Sequence, residues 1–151
     1  MKKISIILLF LMTFLTVLSY SQSELSVEDI VELMESGLEA YRENRLEEAR
    51  RSFSRIIESE TAYAEANSAR AHYNRGNIYY DREQYTAAIE DYSRAIELEA
   101  GFASAYFNRG NAYFIQGAYQ NALDDFNMTI SIVEKEDIQE PKGQTRSLQK
   151  S

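Results

Sequence analysis

No cysteine occurs among the 151 residues, and histidine occurs once. The first absence excludes disulfides, thiolate metal sites and the lipid-modified cysteine of a lipoprotein, so the fold rests on its core alone. The second leaves His72 with no companion for a metal centre or a catalytic dyad. No glycine-rich phosphate loop is present, and the carboxylates make no catalytic grouping. The sequence therefore points to a protein that is not an enzyme and holds no cofactor or metal, with His72 as a packed side chain inside a helix. Basic residues are also scarce: 16 Lys and Arg stand against 24 Asp and Glu, a formal net charge of −8. Such a balance repels phosphate backbones and argues against a nucleic-acid partner.

Long apolar runs are missing too, with one exception. Met1-Lys2-Lys3 precedes an uncharged stretch from Ile4 to Leu18, and Ser19-Tyr20-Ser21-Gln22 follows. A basic start, an apolar run and small residues at Ser19 and Ser21 describe a signal peptide over residues 1–21, cleaved after Ser21. The rival is an uncleaved membrane anchor, for which the run is short, since a span usually takes ~20 residues. Without Lys2 and Lys3, 14 basic residues face 24 acidic ones, a net charge of −10. The short leader points to a bacterial periplasmic or secreted product, with no membrane segment beyond the signal sequence.

What the sequence does have is a period. Asn74-Arg75-Gly76-Asn77 returns as Asn108-Arg109-Gly110-Asn111, and aligning residues 69–102 with 103–136 gives 11 identities in 34 positions. Apolar stripes of helical spacing fill the units, first at Ile30, Leu33, Met34, Leu38 and Tyr41, then at Leu46, Ala49, Phe53, Ile56 and Ile57. Ser26 with Asp29 reads as a helix start, and Asn44 as a tight-turn residue. Short turns between helices require antiparallel neighbours. Helical ion pairs are expected for Glu47–Arg51 and Glu90–Arg94.

These units resemble the tetratricopeptide repeat (TPR) family. The second offers His72, Arg75-Gly76, Tyr79, Ala88, Tyr92 and Ala95; the third offers Tyr106, Arg109-Gly110, Tyr113, Ala122, Phe126 and Thr129. The first is weaker, with Leu33, Gly37, Ala49 and Phe53, but Ala40 where the pattern has Tyr and Ile56 where it has Ala. The resemblance implies an all-α fold, an α-solenoid of three antiparallel helix–turn–helix repeats. The expected organisation is a signal peptide over 1–21, a linker and helix start over 22–29, and a degenerate first repeat over 30–66. The second repeat follows over 67–102, the third over 103–136, and a helix extension with a disordered tail over 137–151. Gly37 to Gly76 spans five residues more than Gly76 to Gly110, so an insertion falls within 58–66, as added helix.

Gly76 and Gly110, costly inside helices, are expected to let the helix carrying them approach Ala88 and Ala122. Arg75 and Arg109 stand where the family has leucine. One reading makes them anion-binding groups. The favoured one pairs them with Asp91 and Asp125, because the first repeat has Ser36 and Ser52 at those places, both partners lost together. Partly exposed pairs of this kind are worth only ~0–1 kcal/mol.

By the resemblance, the first helix of each repeat lines a concave face. The candidate partner-binding residues are Tyr41, Tyr73, Asn74, Asn77, Tyr80, Phe107, Asn108, Asn111 and Phe114, an aromatic and asparagine groove for a peptide or partner protein. The competing reading is that these rings mostly pack against one another. A carboxylate clamp for acidic chaperone tails, known in the family, requires residues that are here Met34, Leu38, Asn74, Ser104 and Asn108; only Asn74 matches. The resulting expectation is an exported protein–protein interaction module. The alternative is a homo-oligomeric or envelope-complex scaffold that uses the uncapped face of the C-terminal repeat.

Overall fold

The first helix begins where the sequence places it. Ser26 accepts the Asp29 amide while the Asp29 carboxylate accepts the Ser26 amide, a reciprocal capping box. In the computed structural model the chain is described over residues 25–139, side chains to residue 136. The expected leader, and the tail from residue 140 on, lie outside the described residues. Within them run six helices and no strand: α1 Val27–Arg42, α2 Leu46–Ile57, α3 Ala62–Asp81, α4 Tyr85–Leu98, α5 Ala103–Ile115 and α6 Tyr119–Gln139. No helix among them is long and apolar enough to cross a membrane.

The helices pair as α1–α2, α3–α4 and α5–α6, each pair antiparallel across a three-residue turn, and each pair stacks on the next. Every one of these turns needs a residue in the left-handed region. Asn44 and Glu83 both have φ 60°, and Gly117 has φ 78°. Contacts also join α1 to α3 and α3 to α5, whereas α2, α4 and α6 touch only first helices. The first helices therefore lie on the inner side of the stack, and their free face is continuous across all three pairs.

The insertion lengthens α3 rather than the loop before it. That helix has 20 residues against 13 in α5 and starts at Ala62, five residues before the expected Asn67. Thr61 caps it by accepting the Ala64 amide at 3.2 Å, and the alanines at 62, 64 and 66 are the best helix formers available. Ala64 is wholly buried in the core with Ile30, Ile56 and Ile78.

The helical glycines do something other than what their spacing suggests. A Cβ on Gly76 would sit 2.7 Å from the Tyr92 ring, on Gly110 2.7 Å from the Phe126 ring, and on Gly37 2.8 Å from the Phe53 ring. Each glycine seats an aromatic ring from the second helix of its own pair. Ala88 and Ala122 are buried, but they are not what a side chain at these glycines would strike. Tyr92 and Phe53 are among the largest fully buried side chains, so two of these contacts anchor the core.

Candidate partner-binding face

Arg75 and Arg109 are the joints that hold the repeats in line. The Arg75 guanidinium makes two bonds of 2.8 Å to the Asp91 carboxylate, and Arg109 does the same with Asp125 at 2.8 and 2.7 Å. Both carboxylates are buried, Asp91 at 5% exposure and Asp125 at 4%, so these are not the partly exposed pairs the spacing suggested. Each arginine also donates backwards to the preceding repeat, Arg75 to Ser54 at 3.0 Å and Arg109 to Ser93 at 2.9 Å. The sequence reading missed those serines, although they occupy the same place in their repeats. His72 completes the first cluster, its Nδ1 lying 2.8 Å from Asp91. Burial alone would raise the Asp91 carboxyl; the bonds from Arg75 and His72 outweigh it and hold the group below the usual carboxylate range. With all polar atoms turned inward, neither arginine is placed to receive an external anion.

The inner face of α1, α3 and α5 carries the nine candidate residues, and they fall into two groups. Several are committed to the fold. Asn77 accepts from the Tyr92 hydroxyl at 2.8 Å and from the Asn108 amide at 2.9 Å, and the same amide reaches the Tyr73 hydroxyl at 3.2 Å. Tyr73 stacks on Phe102 with ring centroids 4.9 Å apart. Tyr41 donates to Asp81 at 2.5 Å, tying the end of α1 to the end of α3, and burial with that carboxylate pushes its phenol well above the ordinary range. Asn74 has only the Met34 sulfur, at 3.8 Å, because the first repeat has Met34 and Leu38 where the second has Tyr73 and Asn77.

The remainder are open. Phe107 is 49% exposed and Phe114 58%. Tyr80 is half-buried against Tyr85, edge to face at 5.4 Å. Asn111 corresponds to Asn77, but Phe126 stands where Tyr92 stands and has no hydroxyl to offer. The Asn111 amide consequently has no hydrogen-bond partner among the described side chains. Expected helical ion pairs also re-sort: Glu47 bonds Arg50 and, in the next repeat, Arg82, while Arg94 bonds Glu97. Three-residue spacing and a cross-repeat partner win over the four-residue pairs. No group of three or more His, Asp or Glu among the described residues is arranged to hold a metal.

Two family models match, one described as TPR repeat over residues 76–117 and one as tetratricopeptide repeat over residues 103–135. The chain is a tetratricopeptide repeat protein. Among curated proteins, no sequence matches this TPR chain. Solved structures do. The TPR2B domain of yeast Sti1, in complex with pHsp70, superposes with a TM-score of 0.66 at 20% identity, covering 74% of this chain and 85% of that one. The second TPR of Spaghetti (RPAP3), bound to the HSP90 peptide SRMEEVD, gives 0.62 at 23% identity, covering 69% and 92%. MamA gives 0.61 at 27% identity, covering 68% of this chain and 57% of that one. These likenesses establish the solenoid fold of the TPR repeats.

Proposed function

We propose that this TPR protein is an exported interaction module that binds a peptide or partner protein along the inner face of α1, α3 and α5. The observation that carries the reading is the open end of that face. Phe107 and Phe114, each resting one side on a ring of α6 (Phe126 and Tyr119), keep about half their surface exposed on either side of the unpartnered Asn111 amide. Rings at this spacing accept apolar side chains between them, while the amide bonds a peptide backbone. The fold's rigidity supports the same reading, because a face fixed by Asn77, Asn108 and Tyr73 loses little freedom when a ligand docks.

The ligand's chemistry follows from charge. Sti1 and Spaghetti are solved with chaperone-derived partners, the latter with the acidic peptide SRMEEVD. The positions of the family's carboxylate clamp hold Met34, Leu38, Asn74, Ser104 and Asn108 in this chain, without a cation. An acidic chain end would meet Glu35 and Asp81 instead, so the expected partner is neutral or basic and rich in apolar side chains. The leader pattern over 1–21 supports a periplasmic or secreted setting for this activity. Mass measurement of the exported protein should find Gln22 at its start.

The binding experiment is direct. Cross-linking in the native envelope identifies the partner, and Phe107→Ala with Asn111→Ala should then cut its capture by tenfold or more, consistent with the loss of ~1.4 kcal/mol or more. Neither side chain makes a hydrogen bond among the described residues, and Phe107→Ala removes one ring contact with Phe126, so unchanged capture by a variant whose circular dichroism shows it folded would defeat the reading.

A further inference from the structure

The second helix of each repeat carries the same five outward positions, and the next repeat covers them twice out of three times. In α2 they are Leu46, Arg50, Phe53, Ser54 and Ile57, covered by α3; in α4 they are Tyr85, Ile89, Tyr92, Ser93 and Ile96, covered by α5. In α6 the same places hold Tyr119, Leu123, Phe126, Asn127 and Ile130. Tyr119 is 65% exposed, Leu123 52% and Ile130 55%, and Val133, one turn further, is 44%. We infer that this bare surface of α6 is the interface of a two-fold homodimer, in which α6 packs antiparallel on α6 of a second copy.

Two features of the sequence select that occupant. The apolar residues 119, 123, 126, 130 and 133 are separated by four, three, four and three, the seam spacing of helices that pack side by side. The stripe is also symmetric, to within one residue, about the midpoint between Phe126 and Asn127. Laid antiparallel, Tyr119 of one copy meets Val133 of the other, Leu123 meets Ile130, and Phe126 meets Phe126. Its solvent-side flank is Gln120, Asn127 and Glu134, which places Gln120 beside Glu134 and Asn127 beside Asn127. No like charges face each other across the axis, although the chain is acidic overall. A two-fold interface must be self-complementary in this way.

Other occupants of the chain's own making fit badly. Head-to-tail stacking would lay α1 on the stripe, but the outward side of α1 exposes Glu28, Glu32 and Glu39, the last two lining an open cleft. It also has Ser36 where α3 and α5 carry the arginine that reaches back to Ser54 and Ser93. The segment after α6 has Leu148 as its one large apolar residue and cannot replace five.

The test uses the full chain as the cell delivers it. Light scattering should give twice the chain mass, and Leu123→Glu with Ile130→Glu should return it to a monomer with unchanged helical circular dichroism. Both side chains are exposed, so folding survives the change. Because the sequence lacks cysteine, Asn127→Cys should form a covalent dimer under mild oxidation, whereas Glu32→Cys should not. A monomer in the unaltered protein would overturn the inference. So would a dimer indifferent to the glutamates, as contact through the leader would give, or a disulfide between Cys at 127 and Cys at 32, which marks head-to-tail chains. None of these changes touches Phe107 or Asn111, so a failure here leaves the partner-binding face standing.

Discussion

Glycine 76 and glycine 110 look equivalent in the sequence, and the structure separates them. The ring opposite Gly76 belongs to Tyr92, which is 1% exposed and tied by its hydroxyl to Asn77. The ring opposite Gly110 belongs to Phe126, half-buried, untethered and next to the bare side of α6. A methyl at 76 meets a ring that cannot move; one at 110 meets chiefly a ring that can, with the Asp125 Cβ at 3.3 Å as a milder second contact. Overpacking costs ~1–3 kcal/mol while replacing a helical glycine returns ~1 kcal/mol. Gly76→Ala should therefore lose about 1–2 kcal/mol, and Gly110→Ala should change stability by well under 1 kcal/mol, both read from urea melts. Equal losses would show that the tether on Tyr92 is irrelevant. Arg75 makes a second case. Arg75→Met leaves the buried Asp91 carboxylate with His72 as its one remaining side-chain partner and should cost about 3 kcal/mol. Arg75→Met with Asp91→Leu should recover most of it, and a double variant no better than the single would refute the pairing.

Between residues and repeats stand the turns, where the sequence was legible in one place and silent in another. Asn44 announces a left-handed turn by its residue type, and Gly117 does the same by its own freedom, yet Glu83 occupies the equivalent place with no such licence. A non-glycine side chain there costs roughly 1–2 kcal/mol of strain, and glycine gives back part of that gain in unfolded-state entropy. Glu83→Gly should raise the stability by about 0.5–1 kcal/mol in chemical denaturation; a loss would mean that Glu83 holds a contact the geometry does not show. Helix existence and pairing were readable because 34-residue periodicity and apolar stripes are both local signals. The added helix before Asn67 was expected from the five extra residues, but its start at Ala62 was not, because these turns are alanine-rich and carry no stripe. The division of the inner face was equally hidden. Asn77 and Asn111 are identical in the alignment, and what distinguishes them is one oxygen on Tyr92 that Phe126 lacks, together with the Asn108 amide that reaches Asn77 from the following repeat.

As a whole the molecule is a short stack in which each repeat is steadied by its neighbours, so stability should not be uniform along it. The middle pair, α3 and α4, is packed on both sides, and α3 has extra turns buried in the first repeat's core. The first pair lacks the arginine–aspartate joint and has the Tyr41–Asp81 bond in its place. The third has the joint, but Tyr80 and Ile115 make no bond like that of Tyr41 and Asp81, and the outer side of α6 is bare in a single chain. Terminal units open at low free-energy cost, while central ones exchange only near global unfolding. Amide hydrogen exchange on the Leu123→Glu, Ile130→Glu variant should accordingly show the greatest protection in α3 and α4 and the least at the end of α6, beyond Val133. In the unaltered chain, protection of residues 119–133 should climb with protein concentration and the order elsewhere should stay the same. Fast exchange in α3 would contradict the stacking account. A concentration-independent α6 would count against the two-fold contact alone, since the repeats' order of protection depends only on packing within one chain.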